Sequence, residues 1–203
     1  MGSVNMVETS RYHHGNLREQ ILQTAFVLLD VEGIDAVGIR KIARLLEVAH
    51  SAPANHFKSK QALLVALATD SFRDLYSKIV QENSKETDDF RVAIHSFSNT
   101  ILEFGLKYPN RYKLLWRSEY ADDQDSDLGI AKEDIYTQLT AILSEQAKKK
   151  QVDVESQAIA LWSLIHGYVL LRLDKNLKDG YDEVTGLKRQ VAIIDVLIDG
   201  IIE

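Results

Sequence analysis

Residues 39–64 read IRKIARLLEVAHSAPANHFKSKQALL, and their helix and turn signals are the most informative in the chain. The pattern predicts a short helix over residues 39–46 and a second short helical segment over residues 50–57, with a break between them. Ser59 is placed to cap a much longer helix that runs to about residue 83. Two short helices joined by a tight turn, between longer bracing helices, are typical of a helix-turn-helix, whose second helix enters the major groove of DNA.

The rest of the chain also has a helical pattern, because apolar residues recur at intervals of three and four almost throughout and only two prolines occur. A first helix is indicated between Asn16, a capping residue, and Gly33, which supplies a left-handed stop. Further helices are expected from Phe90 to Pro109, over about residues 110–120 and 128–150, after an Asp153 cap, and from residue 187 onward. We therefore predict an all-α protein of about nine helices.

Charge divides the chain into two parts. The net charge is −6, but residues 11–60 contain seven Lys or Arg against five Asp or Glu, a net of +2, so the remainder carries −8. Four of the six histidines also lie in residues 11–60. We therefore predict an N-terminal three-helix domain over residues 11–60 with a polyanion as its partner, followed by a larger helical domain over residues 61–203.

The last helix has an apolar stripe that is wider than one packing face needs. A helix that is shared between its own domain and a partner subunit has such a stripe. We therefore expect a homodimer that forms through the last two helices. The apolar residues are Leu187, Val191, Ile193, Ile194, Val196, Leu197, Ile198 and Ile201.

Three segments in order resemble the DNA-binding domain of the TetR family of regulators: YHHGNLREQIL at residues 12–22, GIRKIARLLEV at 38–48 and AHSAPANHFKSKQALL at 49–64. Residues 162–167 are similar to the W-x-x-x-H-G signature of one subgroup of ligand domains in this family. The resemblance implies a homodimer that binds double-stranded operator DNA and senses a small-molecule effector in a ligand-binding and dimerisation domain. Repression relieved by the effector is the usual outcome in the family.

Seven residues are candidates for DNA contact. Three short polar side chains in the second helix of the motif are expected to read base edges, namely His50, Ser51 and Asn55. Four basic side chains are expected to contact the phosphates of the DNA backbone, namely Arg40, Lys41, His56 and Lys60. For His56 and Lys60 this role is implied by the resemblance.

The sequence departs from the family pattern at four positions. Glu47 stands where the turn often has Gly, Ala49 where the second helix often begins with Ser, and Ala54 where an aromatic residue often meets phosphate. Gly38 replaces the usual hydroxyl cap of the first short helix. Ser51 is expected to cap a slightly shorter second helix, with Pro53 in its first turn. We expect these departures to weaken the DNA contact and to change how the second helix docks.

Eight side chains in the larger domain are candidate lining residues of an effector pocket, which would be aromatic and aliphatic with a few polar anchors. Trp162 and His166 lie one turn apart on one helix face, where they could serve either as core residues or as ligand contacts. The full candidate set is Phe72, His95, Phe97, Phe104, Tyr112, Trp116, Trp162 and His166.

Two other classes of protein fit the sequence less well than a regulator does. The absence of cysteine excludes a thiolate metal site and suits a reducing cytoplasm, and we expect neither a cofactor nor a membrane span. A di-iron enzyme would need Glu-x-x-His pairs on separate helices, but the one such spacing, Glu47 to His50, falls in the predicted turn. A helical carrier or enzyme that does not bind DNA is the remaining alternative.

Overall fold

The computed structural model describes residues 17–83, 89–117 and 126–202. Over these residues the chain forms nine α-helices and a single 3-10 turn at Ile34–Ala36. The described residues contain no β-strand, only an isolated β-bridge between Tyr181 and Lys188. The all-α prediction of about nine helices is therefore confirmed. The helices are α1 (Leu17–Glu32), α2 (Ile39–Leu45), α3 (Ser51–His56), α4 (Lys60–Asn83), α5 (Phe90–Lys107), α6 (Pro109–Leu115), α7 (Ser126–Lys150), α8 (Val154–Leu173) and α9 (Arg189–Ile202).

Helices α1 to α3, which we call the head, pack together and against the start of α4. Gly33 ends α1 as the sequence predicts, with φ of +88° and its N–H donating to the Leu29 carbonyl at 3.0 Å. Ser59 caps α4 as predicted, because its hydroxyl accepts the Ala62 N–H at 3.0 Å. The predicted Asn16 cap lies outside the described residues.

Helices α4 to α9, which we call the body, enclose a core that is continuous with the core of the head. The regular stripe on α5 is buried, with Ile94, Phe97, Ile101 and Phe104 each at most 3% exposed. Pro109 occupies the first turn of α6, where its missing N–H costs no helical hydrogen bond. Helix α6 ends at Leu115, earlier than the predicted limit near residue 120, and residues 118–125 lie outside the described part.

Helix α8 begins at the predicted cap, where the Asp153 carboxylate accepts the Ser156 N–H at 2.9 Å. By length and average composition its 20 residues would suffice to cross a membrane, although Glu155, His166 and Arg172 interrupt the apolar sequence. Core helices of soluble proteins pass the same test, and α8 packs along α5, α7 and α9. One such helix is weak evidence for a membrane span.

Candidate DNA-binding surface and ligand clefts

Helix α3 presents an exposed polar surface at one end of the molecule. His50, Ser51, Asn55 and His56 are all exposed, whereas Pro53 is buried. Phe57, which follows the helix, is 4% exposed and lies beneath the Arg18 guanidinium, 5.4 Å from the ring centroid. Buried residues therefore fix α3 on the head from one side, and its short polar side chains are left facing solvent.

Two of the predicted phosphate-binding cations already have partners inside the head. The Lys41 ammonium group lies 2.6 Å from the Glu32 carboxylate, and the Lys60 ammonium group donates to the Asp35 carbonyl oxygen at 3.1 Å. An ammonium group has three N–H donors, so both residues keep donors for a phosphate oxygen. Arg40 is exposed at the start of α2.

The departures from the family pattern have visible structural effects. Glu47 adopts φ of +54°, a left-handed conformation that Gly adopts without strain and other residues adopt at a cost. Gly38 precedes α2 and His50 precedes α3, and neither makes a side-chain capping bond. Ser51 is the first residue of α3 and does not cap it, so that expectation is wrong.

The eight candidate ligand residues occupy three kinds of environment. Four of them, Phe72, Phe97, Phe104 and Tyr112, are at most 3% exposed and belong to the core. Trp162 is partly buried and packs edge-on against Trp116, with ring centroids 5.1 Å apart. His95 lines a polar cleft between α4, α5 and α7, and Trp116 and His166 line a second cleft between the head and the body.

The polar cleft has a volume of about 710 Å³ and is bounded on one side by His95. His95 Nε2 lies 2.8 Å from the Asp195 carboxylate on α9, which also accepts a hydrogen bond from Arg91 at 2.5 Å. Burial raises the pKa of Asp195, but the hydrogen bonds from His95 and Arg91 outweigh it and hold the pKa below its usual value. The sequence analysis missed Arg91 and Asp195, because about 100 residues separate the two partners.

The second cleft, which we call the junction cleft, has a volume of about 560 Å³. The head contributes the turn that follows α1, and the body contributes α6 and the C-terminal half of α8. The lining residues are Glu32, Gly33, Ile34, Asp35, Asn110, Lys113, Trp116, Arg117, His166, Leu170 and Asp174. Trp116 and His166 are the two of the eight candidates that this cleft brings together.

A partly buried hydrogen bond orients His166 at the junction cleft. The Tyr112 hydroxyl lies 3.1 Å from His166 Nδ1. Burial lowers the pKa of His166, so the imidazole is neutral at pH 7, and burial raises the pKa of Tyr112, which keeps its proton. A protonated hydroxyl beside a neutral imidazole assigns donation from Tyr112 to Nδ1, which leaves the proton of His166 on Nε2.

A salt bridge joins α1 of the head to α6 of the body. The Asp30 carboxylate accepts hydrogen bonds from Arg111 Nε at 2.8 Å and Nη2 at 2.6 Å, and Asn110 donates to the Asp30 carbonyl at 3.2 Å. The Arg111 guanidinium also lies 4.4 Å from the Phe26 ring centroid and 4.7 Å from that of Tyr108. This link lies beside the junction cleft and connects the same two parts of the molecule.

Comparison with known protein families identifies both parts of the chain. Residues 21–67 match the model described as bacterial regulatory proteins of the tetR family, and residues 94–193 match the tetracyclin repressor-like C-terminal domain. The chain belongs to the TetR family. It is therefore a DNA-binding transcriptional regulator of the ligand-responsive kind.

Individual relatives of this TetR-family chain are distant. The uncharacterised helix-turn-helix regulator YobS of Bacillus subtilis is 21% identical over 77% of the chain and 79% of its own length. A Rhodococcus protein of unknown function superposes with a TM-score of 0.80 at 24% identity, covering 96% of this chain and all of the other. The regulator FadR of Bacillus subtilis, solved with stearoyl-CoA, superposes with a TM-score of 0.66 at 16% identity, covering 91% and 97%. At these identities the structural likeness concerns the fold.

Proposed function

We propose that the protein is a cytoplasmic, homodimeric repressor that leaves its operator when a small molecule occupies the body. The observation that carries this proposal is the exposed polar surface of α3, which the buried Pro53 and Phe57 fix at one end of the molecule. In a helix-turn-helix this surface is the one that meets base edges. The proposed units are residues 11–60 for DNA binding and residues 61–203 for effector binding and dimerisation.

Base reading is assigned to His50, Ser51 and Asn55, and phosphate contact to four basic residues. An Asn side chain can make a bidentate contact with adenine, which contributes about 1–3 kcal/mol of discrimination against other bases. Phosphate contacts add affinity for any sequence and make binding depend on salt. The proposed phosphate set is Arg40, Lys41, His56 and Lys60.

Dimerisation is assigned to α8 and α9 because both have apolar residues facing solvent. Ile159 and Val196 are 55% and 75% exposed. The exposed Ser163 and the partly exposed Gly167 follow Ile159 on α8 at intervals of four residues, and such small residues let another helix approach closely. Pairing these helices would hold two copies of α3 at the spacing of successive major-groove turns, about 34–36 Å.

Release from DNA is assigned to a population shift in which the effector favours a body conformation whose paired α3 helices no longer match the two grooves. The ion pair between Asp30 and Arg111 supports this coupling, because it connects α1 directly to α6. The stearoyl-CoA complex of FadR supports the existence of a small-molecule effector for a protein of this fold.

The proposal is tested by selecting duplexes from a random library with the purified protein and measuring their affinity by fluorescence anisotropy. Asn55→Ala should reduce the preference for the selected duplex over a random one by about 1–3 kcal/mol. Asn176→Ala, a matched exchange at an exposed position after α8, should leave the preference unchanged. Arg40→Ala should weaken binding to both duplexes and make the salt dependence shallower by about one phosphate contact.

If the selection enriches no sequence and the affinity for duplex DNA lacks a salt dependence, the repressor proposal is wrong. A helical carrier that binds ligand without DNA would then be the better description. Sedimentation equilibrium of Ile159→Glu tests the dimer separately. This variant should sediment as a monomer if α8 and α9 form the interface, because a charge would be buried there without a partner.

A further inference from the structure

We propose that α3 reads a core of about three consecutive A·T base pairs in each half-site of the operator, with an adenine opposite Asn55 and thymine methyl groups against the alanines beside it. This inference rests on the proposed repressor function and gives its DNA partner a base composition. It is carried by the orientation of α3, by the side chains on its exposed face, and by the lack of arginine and lysine there.

Helix α3 turns one narrow face toward solvent. Pro53 is buried, whereas Ser51 and Asn55, which lie one helical turn apart on the opposite side, are both exposed. Ala52 and Ala54 flank this pair and are partly exposed. We call these four solvent-facing residues the groove face, because the side of α3 opposite the buried proline is the side that would enter the major groove.

The length of α3 limits the number of base pairs that it can read. Its six residues span about 9 Å at about 1.5 Å per residue, whereas neighbouring bases in a strand are about 3.4 Å apart along the duplex. The helix can therefore contact about three consecutive base pairs. The side chains of the groove face are small, so the helix can come close to the edges of these bases.

Asn55 gives the groove face its preference for adenine. An asparagine amide has an acceptor oxygen and N–H donors, which match the N6 amino group and the N7 acceptor of adenine. Guanine presents two acceptors, O6 and N7, at the same edge. The amide oxygen of Asn55 would then face an acceptor, and one of the two hydrogen bonds would be lost.

Ala52 and Ala54 favour thymine in the neighbouring pairs. Their methyl groups are the apolar part of the groove face, and thymine is the base that carries a methyl group in the major groove. Contact removes the thymine methyl group from water, which contributes about fourfold in affinity. A cytosine amino group against an alanine would instead lose a hydrogen bond to water without a replacement.

The groove face lacks the side chains that most often read guanine. Arginine and lysine make the commonest specific contacts with guanine, and neither occurs between Arg44 in α2 and Lys58 after α3. Ser51 can pair with any base and sets no preference. His50 precedes the helix, and an imidazole can donate or accept, so it sets none either. The face therefore has a reader for adenine and two contacts for thymine, without a cation for guanine.

Parallel selections from a random duplex library, with the parent protein and with Asn55→Ala, locate the core. The base pair at which only the variant loses its preference is the pair that Asn55 contacts, and it should be A·T with A·T neighbours. A G·C pair at that position, or no position that depends on Asn55, would overturn the proposal. Enrichment of no duplex by the parent protein would refute the repressor itself, so the two failures are distinguishable.

7-Deazaadenine tests the adenine contact, because it lacks the N7 acceptor but still pairs with thymine. Placed at the located adenine of one half-site, it should weaken binding of the parent protein about fivefold in fluorescence anisotropy. Asn55→Ala should bind the modified and unmodified duplexes equally. Its affinity for a random duplex should match that of the parent protein, which shows that the variant is folded. An equal loss in both proteins, or no loss in the parent protein, would overturn the assignment.

Uracil differs from thymine only in lacking the methyl group, so it tests the alanine contacts. Uracil in either pair beside the located adenine should weaken binding of the parent protein about fourfold. Ala52→Gly and Ala54→Gly should each remove this effect at one of the two pairs. Ala141→Gly, a matched exchange at an exposed position of α7, should retain it at both. Uracil that leaves the affinity of the parent protein unchanged at both pairs, or an effect that persists in both α3 variants, would overturn the thymine preference.

Discussion

Asp30→Asn removes the charge that pairs α1 with α6, and its cost can be worked out from the structure. The carboxylate accepts two hydrogen bonds from Arg111, at 2.8 and 2.6 Å, and the two side chains are 30% and 19% exposed. Exposed ion pairs contribute about 0–1 kcal/mol, and loss of one partner from a buried pair costs about 3–5 kcal/mol. Because this pair is partly buried, we expect the free energy of unfolding to fall by about 1–3 kcal/mol.

Three observations place the cost within that range. The Asp30 hydrogen bond outweighs burial and raises the pKa of Arg111, so the charged guanidinium is favoured where it lies. The aromatic rings of Phe26 and Tyr108 retain part of that stabilisation after the exchange. Asparagine can still accept one hydrogen bond, which keeps the expected loss below that of a fully buried pair.

Urea unfolding at pH 7 and 25 °C, followed by far-ultraviolet circular dichroism, measures this loss as a lower midpoint at an unchanged slope. Asp174→Asn is the matched control, because Asp174 also pairs with α6 but its carboxylate lies 3.8 Å from Lys113 and both side chains are about half exposed. The control should cost less than about 0.5 kcal/mol. Equal costs for the two variants, or a cost below about 0.5 kcal/mol for Asp30→Asn, would refute the coupling assigned to this pair.

Three further predictions concern stability. Gly105→Ala should lower the free energy of unfolding by about 1–3 kcal/mol, because the added Cβ would lie 2.7 Å from a Val169 methyl carbon. Gly129→Ala is the control, because its Cβ meets open space, and it should raise the free energy of unfolding by up to about 1 kcal/mol. Thermal unfolding distinguishes the two variants. Glu47→Gly should raise the free energy of unfolding by about 0.5–1 kcal/mol, because Gly adopts the left-handed conformation without strain. This gain would appear as a higher urea midpoint, and a lower midpoint would contradict the prediction. Burial lowers the pKa of His166, so as the pH falls through about 6.5 the unfolded chain binds a proton at this imidazole before the folded chain does, and the free energy of unfolding decreases. His166→Gln should make this decrease between pH 7 and 5 shallower. An unchanged slope would count against the assignment to His166.

The helix boundaries could be predicted because their signals are local. Ser59 and Asp153 each cap a helix by accepting an N–H three residues on, and Gly33 stops α1 through its own backbone conformation. Helix α6 was overestimated in length, because a helical apolar pattern continues past Leu115 without a local stop signal.

The contacts around the clefts could not be predicted, because they join residues that are far apart in the chain. Arg91 meets Asp195 across 104 residues, and Arg111 meets Asp30 across 81. A stripe of aromatic residues has the same spacing whether it fills a core or lines a pocket, so Phe97 and Trp116 were equal candidates. Their burial separates them, because Phe97 is fully buried whereas Trp116 is only partly buried and borders a cleft.

Helix α6 is the element through which an effector and the head would influence each other. Its seven residues and the Trp116 that follows contact α1 through Arg111, α8 through Tyr112, and the junction cleft through Trp116 itself. Consecutive residues of a short helix contact different neighbours and move together. A displacement of α6 at one of these contacts therefore changes the others. A molecule that alters the surroundings of Trp116 would therefore act on the Arg111 link to the head as well as on α8.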